Sequence, residues 1–199
     1  KGLDFPNVTL GGVITADTVL NLPDFRSAEK TFQLLTQVAG RAGRHELPGE
    51  VFVQTYTPDH YSIVCASRHD YAGFVREELP LRRLRGYPPF QKLILITISH
   101  EQPAQLIRFA EKLAARLKEL AADAGCPSGR AGADFGIDIL GPVASPIPRI
   151  KDRYRFQCMV KYRGDVPAPE LVRAAAEDIQ RMGDQDLQLV IDVDPYMMM

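Results

Sequence analysis

The segment with the clearest chemical potential is residues 37–44, which read QVAGRAGR. It places two arginines three positions apart, each directly after a glycine. Guanidinium groups are permanently charged planar donors that suit phosphate oxygens, and arginines that reach across an interface stabilise charge during phosphoryl transfer. Glycine removes side-chain bulk, so two surfaces can approach closely. A glycine-capped helix end with solvated arginines is the alternative interpretation.

A second candidate is a basic segment, residues 145–163, which holds six basic residues and one acidic residue. Within it Arg153, Arg155 and Gln157 alternate, so on a strand they share one face and form a polar stripe. One interpretation is an anion site for nucleic acid or an acidic peptide. The other is a solvated strand pair whose charges meet the acidic segment 164–199, which has eight acidic and two basic residues.

A third basic group, Arg82, Arg83 and Arg85, precedes the Pro-rich stretch 86–90. Each DNA phosphate that a protein neutralises adds salt-dependent affinity. These arginines are therefore candidates for DNA contacts, and solvated linker charges are the equal alternative.

Cysteine and histidine predict no metal site. The three cysteines are far apart without a CxxC pair, and the four histidines lack metal-ligand spacing. This cysteine usage fits a reducing, cytoplasmic compartment.

The elements that must position these residues fall into two patterns. The first alternates strand and helix, which is typical of an α/β domain. Its elements are a buried parallel strand at 8–16, a helix from Ser27 to about Gly40, a strand at 50–55 and a helix at 60–79.

The second pattern has the order β-α-β-β-α-β, the split βαβ of ferredoxin-like folds. Its predicted elements are 91–99, 103–123, 136–141, 154–162, 168–182 and 187–193. The sequence thus predicts a domain at 1–75, a basic and Pro-rich linker at 76–90, and a second domain at 91–199.

Longer segments resemble a known family. KGLDFPNVTL resembles motif V and QVAGRAGR motif VI of superfamily 2 helicases. The segments ADTVLNLPDFRSAEKTFQLLT and LGPVASPIPRIKDRYRFQ resemble the primosomal replication-restart DNA helicases of that superfamily. The resemblance covers nearly the whole chain and is weakest at 120–135.

The resemblance implies a fold and a set of nucleotide-site residues. Residues 1–75 would be the C-terminal half of the second RecA-like lobe, and 91–199 a domain similar to ribosomal protein S10. Arg44 would be the arginine finger and Arg41 a second phosphate or interlobe contact. Gln37 also matches motif VI. Gly2 and Asp4 match motif V, which would lie beside the nucleotide.

The resemblance also implies ligands and partners. They are ATP and magnesium in the full-length enzyme, zinc held by cysteines outside this chain, branched and single-stranded DNA, and other primosome proteins. A further partner is the acidic C-terminal tail of single-stranded DNA-binding protein. Arg153 and Gln157 would hold this tail, and Arg155 would lie beside them. Asp152 stands where the resemblance leads us to expect a glycine.

The chain begins without Met and contains neither a GxxxxGKS/T phosphate loop nor a DExH box. We therefore expect a fragment of a longer protein that alone neither hydrolyses ATP nor unwinds DNA. A non-catalytic module that binds nucleic acid or protein is the alternative function.

Composition excludes several other classes. The 199 residues are 45% hydrophobic and 25% charged, with a formal net charge of −1. Such a chain is neither a disordered tail, a collagen-like chain, a disulfide scaffold nor a strongly basic DNA-coating protein. No apolar run approaches the ~18 residues of a membrane span, so no membrane partner is predicted.

Overall fold

The computed structural model describes residues 8–42, 49–126, 136–164, 166–182 and 184–198. It divides the chain into two units, residues 1–84 and residues 85–199. This boundary falls inside the stretch predicted as a linker, but residues 76–85 of that stretch are helical. We describe each unit by itself.

The described residues of unit 1 form two short parallel strands and four helices. Its elements are β1 (Leu10–Val13), α1 (Asp17–Leu20), α2 (Ser27–Ala39), β2 (Glu50–Val53), α3 (Tyr61–Ser67) and α4 (Tyr71–Arg85). The strands pair with Leu10 opposite Glu50 and Val13 opposite Val53. The predicted strand and helix order is confirmed, with α1 as an additional short helix.

The helix predicted over 60–79 is instead two helices. His60 begins α3, where its Nδ1 accepts a hydrogen bond from the Ser62 amide at 3.2 Å. His69 has a φ of 52°, a left-handed conformation that cannot continue an α-helix. Apolar periodicity alone did not reveal this interruption, because α3 and α4 both contribute buried residues to the same core.

The core of unit 1 lies between α2, α3 and α4. Phe32 and Phe74 stack with ring centroids 4.6 Å apart, and both are buried. The prediction that β1 is a fully buried strand is wrong. Leu10 and Phe52, on the same face of the two strands, are each 63% exposed, since α2 contacts the strands without covering that face.

In unit 2, the residues that the structure describes form a four-stranded antiparallel sheet and two helices. Its elements are β3 (Lys92–His100), α5 (Pro103–Asp123), β4 (Ile137–Ile150), β5 (Arg153–Tyr162), α6 (Ala168–Gln180) and β6 (Gln188–Val193). The strand order is β4-β5-β3-β6, and each neighbouring pair is antiparallel. The predicted β-α-β-β-α-β order is confirmed.

Strand β4 is longer than the predicted 136–141. It continues to Ile150 through a stretch that contains three prolines, which looks like a loop in the sequence. The register with β5 shifts between Leu140 and Val143 and again between Ala144 and Arg149. Such irregularities let a strand carry residues that cannot donate to the ladder.

The core of unit 2 forms where one face of α5 meets one face of the sheet. Leu106, Leu113 and Leu117 recur at helical spacing on α5, and each is at most 1% exposed. They join Ile96 and Ile98 of β3 in one cluster with the buried residues of α6. Among the described residues, no helix combines the length and the apolar character that a bilayer span requires.

Because side chains alternate along a strand, the other sheet face carries the remaining residues. On β3 these include Thr97 and Ser99, which lie opposite Gln157 and Arg155 of β5 and opposite Val190 and Gln188 of β6. We call this surface the cleft face.

Candidate functional site

The cleft face contains a depression of about 350 Å³. Its apolar lining residues are Leu95, Ile150, Val190 and Met197, and its polar lining residues are Thr97, Ser99, Lys151, Arg153, Arg155, Gln188 and Asp192. The cations come from the start of β5 and the turn before it, while Asp192 lies on β6. The cleft therefore combines an apolar surface with a cationic side.

Arg153 is held in place by acceptors from three residues. Its Nε donates to Ser99 Oγ at 3.4 Å, and its Nη2 donates to the Ser99 carbonyl at 3.3 Å and to the Asp186 carbonyl. Its Nη1 lies 3.4 Å from Glu101 Oε1. With a side chain only 17% exposed, this guanidinium is oriented by the protein itself.

Arg155 differs from Arg153 although both lie on the cleft face. It is half-buried and lies opposite Ser99 in the β3 register. Within the part of the chain that the structure describes, its side chain makes no hydrogen bond or ion pair, so its charge is available to a ligand. Lys151, exposed at a φ of 48° in the β4–β5 turn, supplies another cation.

Gln157 follows on the same stripe but does not line the cleft. It is 7% exposed, and its Nε2 has no hydrogen-bond partner among the described residues. A buried amide donor without a partner is unusual in folded proteins. The structure thus brings Arg153 and Arg155 together at the cleft and places Gln157 next to them, under the surface.

Sequence reasoning missed a polar group behind Arg153. His100 ends β3 and is 2% exposed. Its Nδ1 accepts a hydrogen bond from the Gln102 amide at 2.8 Å, so the neutral ring carries its proton on Nε2, which lies 3.2 Å from Asp184 Oδ1. Asp184 is distant in sequence, and no local pattern indicated this pair.

Asp184 organises the loop that leads into β6. Its Oδ1 accepts a hydrogen bond from the Asp186 amide at 2.9 Å. That bond is the largest cause of a pKa of Asp184 below its ordinary value; burial raises the pKa and opposes it, while the contact with His100 lowers the pKa further. Asp184 therefore holds the loop through the hydrogen bonds that its side-chain oxygen accepts.

His100, Asp184 and Asp186 form a group whose ligand atoms lie within 4.8 Å of one another. This spacing is compatible with a metal ion, but the hydrogen bonds are not. Since Nδ1 is an acceptor, Nε2 carries a proton and has no lone pair for a cation. The cluster is therefore a hydrogen-bonded unit.

The three junction arginines have different environments. Arg82 Nη2 lies 2.7 Å from Glu29 Oε2, and its Nε lies 2.7 Å from Glu78 Oε1. Burial lowers the pKa of Arg82, but the hydrogen bonds to these two glutamates outweigh it, so the net pKa shift is upward. The side chains of Arg83 and Arg85 are exposed.

Within unit 2, the backbone of Arg85 is hydrogen-bonded to β5. Its carbonyl accepts a hydrogen bond from Lys161 Nζ at 2.7 Å, and the same ammonium lies 3.9 Å from the Tyr87 ring centroid. Burial lowers the pKa of Lys161. The backbone of Arg85 therefore has a structural role, while its guanidinium extends to solvent.

The motif VI residues are described only in part. Gln37 is exposed on the last turn of α2, and Arg41 is half-buried just after this helix. Gln37 also lines a groove of about 480 Å³ beside Phe32, Tyr71 and Leu79. Gly2, Asp4 and Arg44 lie outside the described residues.

The fold and the cleft define a chain with one α/β unit and one α+β unit, the second of which carries a cleft with a cationic side. Residues 83–196 match the family model described as the primosomal protein N C-terminal domain. The chain belongs to this family.

Curated relatives extend the similarity to the whole chain. "Replication restart protein PriA" of Bacillus subtilis (strain 168) is 54% identical over 200 residues, covering 100% of this chain and 23% of the relative. The protein of that name from Synechocystis is 41% identical over 195 residues, covering 98% of this chain and 22% of the relative. The chain thus spans about a quarter of the length of these relatives.

A solved structure of a hydantoinase/carbamoylase family amidase from Burkholderia ambifaria is also similar, with 13% sequence identity and a TM-score of 0.33. It covers 52% of this chain and 27% of the amidase chain. A likeness at this level carries no argument about fold or function.

Proposed function

We propose that this chain is the C-terminal part of an ATP-dependent 3′-to-5′ DNA helicase that restarts stalled replication forks. The observation that carries the proposal is the 54% identity over the whole chain to a protein named for replication restart. In this proposal unit 1 is the C-terminal half of a RecA-like lobe, with β1 and β2 as part of its parallel sheet. Unit 2 is the S10-like, ferredoxin-like domain.

In the whole protein, the motif VI arginines would act on a nucleotide held elsewhere. This chain has no phosphate loop, so ATP and magnesium would be bound by another part of the protein. Arg44 and Arg41 would stabilise the charge that develops on the transferred phosphoryl group, with Gln37 beside them. Gly2 and Asp4 would contribute from the preceding motif.

Arg44→Ala in the full-length protein tests this function. ATP hydrolysis should fall about a thousandfold, the magnitude associated with an arginine finger, while DNA affinity should stay within about twofold. Arg173→Ala, at an arginine whose side chain is 78% exposed, is the matched control. Retained hydrolysis in the Arg44 variant would reject the role, and a full-length protein without any hydrolysis would favour the binding-module alternative.

The cleft supports a second activity, docking of the acidic C-terminal tail of single-stranded DNA-binding protein. Arg155 offers a guanidinium that has no hydrogen-bond or ion-pair partner among the described residues and that can bind a terminal carboxylate through two parallel hydrogen bonds. Leu95, Val190 and Met197 offer the apolar surface that a hydrophobic last residue needs. In this proposal the tail's carboxylate would lie at the β5 side of the cleft, where the arginines are.

A short acidic peptide that ends in phenylalanine with a free carboxylate tests tail docking. Arg155→Ala and Arg153→Ala should each weaken its binding to the 199-residue chain about tenfold, the value of a charge-assisted hydrogen bond. Arg173→Ala should leave the affinity unchanged, and amidation of the peptide's terminus should reproduce the Arg155 defect. Unchanged affinity in both cleft variants would contradict the assignment.

DNA contacts at the junction are proposed for the exposed side chains of Arg83 and Arg85. Arg82 is engaged by two carboxylates, so its charge is already largely neutralised. Phosphate binding by all three, as the sequence suggested, would require Arg82 to give up both ion pairs.

A further inference from the structure

The orientation of Arg153 depends on a loop that precedes β6. Three acceptor atoms satisfy Nε and Nη2 of Arg153: Ser99 Oγ, the Ser99 carbonyl and the Asp186 carbonyl. The first two belong to β3 itself. The third belongs to a short loop, and a loop carbonyl holds its position only if the loop is held.

Asp184 is the residue that holds this loop. Its Oδ1 accepts a hydrogen bond from the Asp186 amide at 2.9 Å, which fixes the peptide group before Asp186. The carboxylate also accepts a hydrogen bond from the Leu187 amide, which belongs to the same peptide group as the Asp186 carbonyl. The carboxylate is itself fixed by His100 Nε2 at 3.2 Å. His100 in turn is buried at the end of β3 and oriented by the Gln102 amide at its Nδ1.

We propose that His100 and Asp184 are positioning residues for the cleft. They hold the Asp186 carbonyl where it orients the Arg153 guanidinium toward an acidic ligand. The chain of contacts runs from the β3 end, through Asp184, to the backbone of Asp186 and then to Arg153. This inference rests on the proposed tail docking, because it assigns these residues a role in that site.

A positioning role for Asp184 and simple electrostatics predict opposite effects of removing its charge. Removing a negative charge near the cleft should tighten the binding of an acidic peptide, since one repulsive interaction disappears. If Asp184 positions Arg153, its removal should weaken binding instead. Asp186 provides a control for the loss of negative charge. Arg153 contacts the backbone carbonyl of Asp186 and Asp184 contacts its backbone amide, so both contacts remain when the Asp186 side chain is replaced.

The test compares Asp184→Ala with Asp186→Ala in the 199-residue chain, using the same acidic peptide that ends in a phenylalanine carboxylate. Asp184→Ala should weaken binding roughly fivefold, about the value of one lost hydrogen bond. Asp186→Ala should leave the affinity unchanged or tighten it. Asp184→Asn should restore most of the affinity, because the amide oxygen still accepts from both His100 and Asp186.

A second readout works without any ligand. The NMR signal of the Arg153 Nε–H group, assigned by its loss in Arg153→Lys, should be sharp in the wild type and in Asp184→Asn. It should broaden in Asp184→Ala, since the guanidinium then samples several orientations. Val172→Ala, which truncates a residue of the α6 core that is 1% exposed, controls for a general loss of stability.

The outcomes separate the two proposals. If the wild type does not bind the peptide, tail docking fails, while the NMR signal still decides whether Asp184 orients Arg153. If the peptide binds and Asp184→Ala either tightens binding or leaves the Nε–H signal unchanged, the positioning role is overturned. An Asp186→Ala variant as weak as Asp184→Ala would also overturn it.

Discussion

At the scale of single residues, burial decides the chemistry of Cys158. It lies on β5 opposite Ile96 and has no exposed surface. Burial raises the pKa of its thiol from 9.0 to about 11, and the charge of Lys118 opposes this only slightly. Between these two values the unfolded chain releases a proton that the folded chain keeps, so stability falls as pH rises through this range.

Cys158→Ala should remove this pH dependence. Below pH 9.0 the variant should be less stable than the wild type because a buried sulfur is lost. As the pH rises to about 11, the difference in free energy of unfolding between the wild type and the variant should shrink by about 2–3 kcal/mol. Urea unfolding across this pH range measures it, with Cys126→Ala as the control. Parallel stability curves for the wild type and Cys158→Ala would contradict the burial argument.

At the scale of elements, α4 depends on a buried carboxylate. Glu78 is 5% exposed, accepts a hydrogen bond from the Tyr61 hydroxyl and pairs with Arg82. Arg82 also reaches Glu29 of α2. A buried charge that loses its partner is strongly destabilising. The Glu78–Arg82 pair thus ties α4 to α2 through Glu29 and to α3 through Tyr61.

Arg82→Gln should therefore destabilise unit 1 by about 2–4 kcal/mol. The double variant Arg82→Gln with Glu78→Gln should recover most of this loss, because no charge is then left buried without a partner. Urea unfolding of the three proteins measures the effect, and Arg76→Gln, at an exposed position of the same helix, is the control. A loss below about 0.5 kcal/mol would mean that Glu78 is solvated without Arg82.

Elements whose signal is local could be predicted from the sequence. The apolar repeat of α5 determined its bounds, 103–123, to the residue. The second half of β4 could not be predicted, because its prolines are accommodated only by pairing with β5. The alternation of side chains along a strand places Arg153 and Arg155 on one face. It could not show that hydrogen bonds hold Arg153, because the acceptors on Ser99 and Asp186 are distant from Arg153 in sequence.

At the scale of the whole molecule, the two units have separate cores that share no residue. Among the described residues, the buried cluster of unit 1 has eight members and that of unit 2 has nineteen. Stabilisation grows with the apolar area removed from water, so unit 2 should be the more stable of the two. Each core contains one buried cysteine, Cys65 in unit 1 and Cys158 in unit 2.

These cysteines report the stability of each unit separately. In a urea titration with brief thiol labelling, Cys65 should become reactive at a lower urea concentration than Cys158, because the smaller core opens first. Phe32→Ala should shift only the Cys65 transition, and Leu113→Ala only the Cys158 transition. Each shift should correspond to a loss of about 3 kcal/mol in the free energy of unfolding of that unit, the usual cost of truncating a buried side chain of this size. Transitions that coincide, and that move together in both variants, would show instead that the two cores unfold as one cooperative unit.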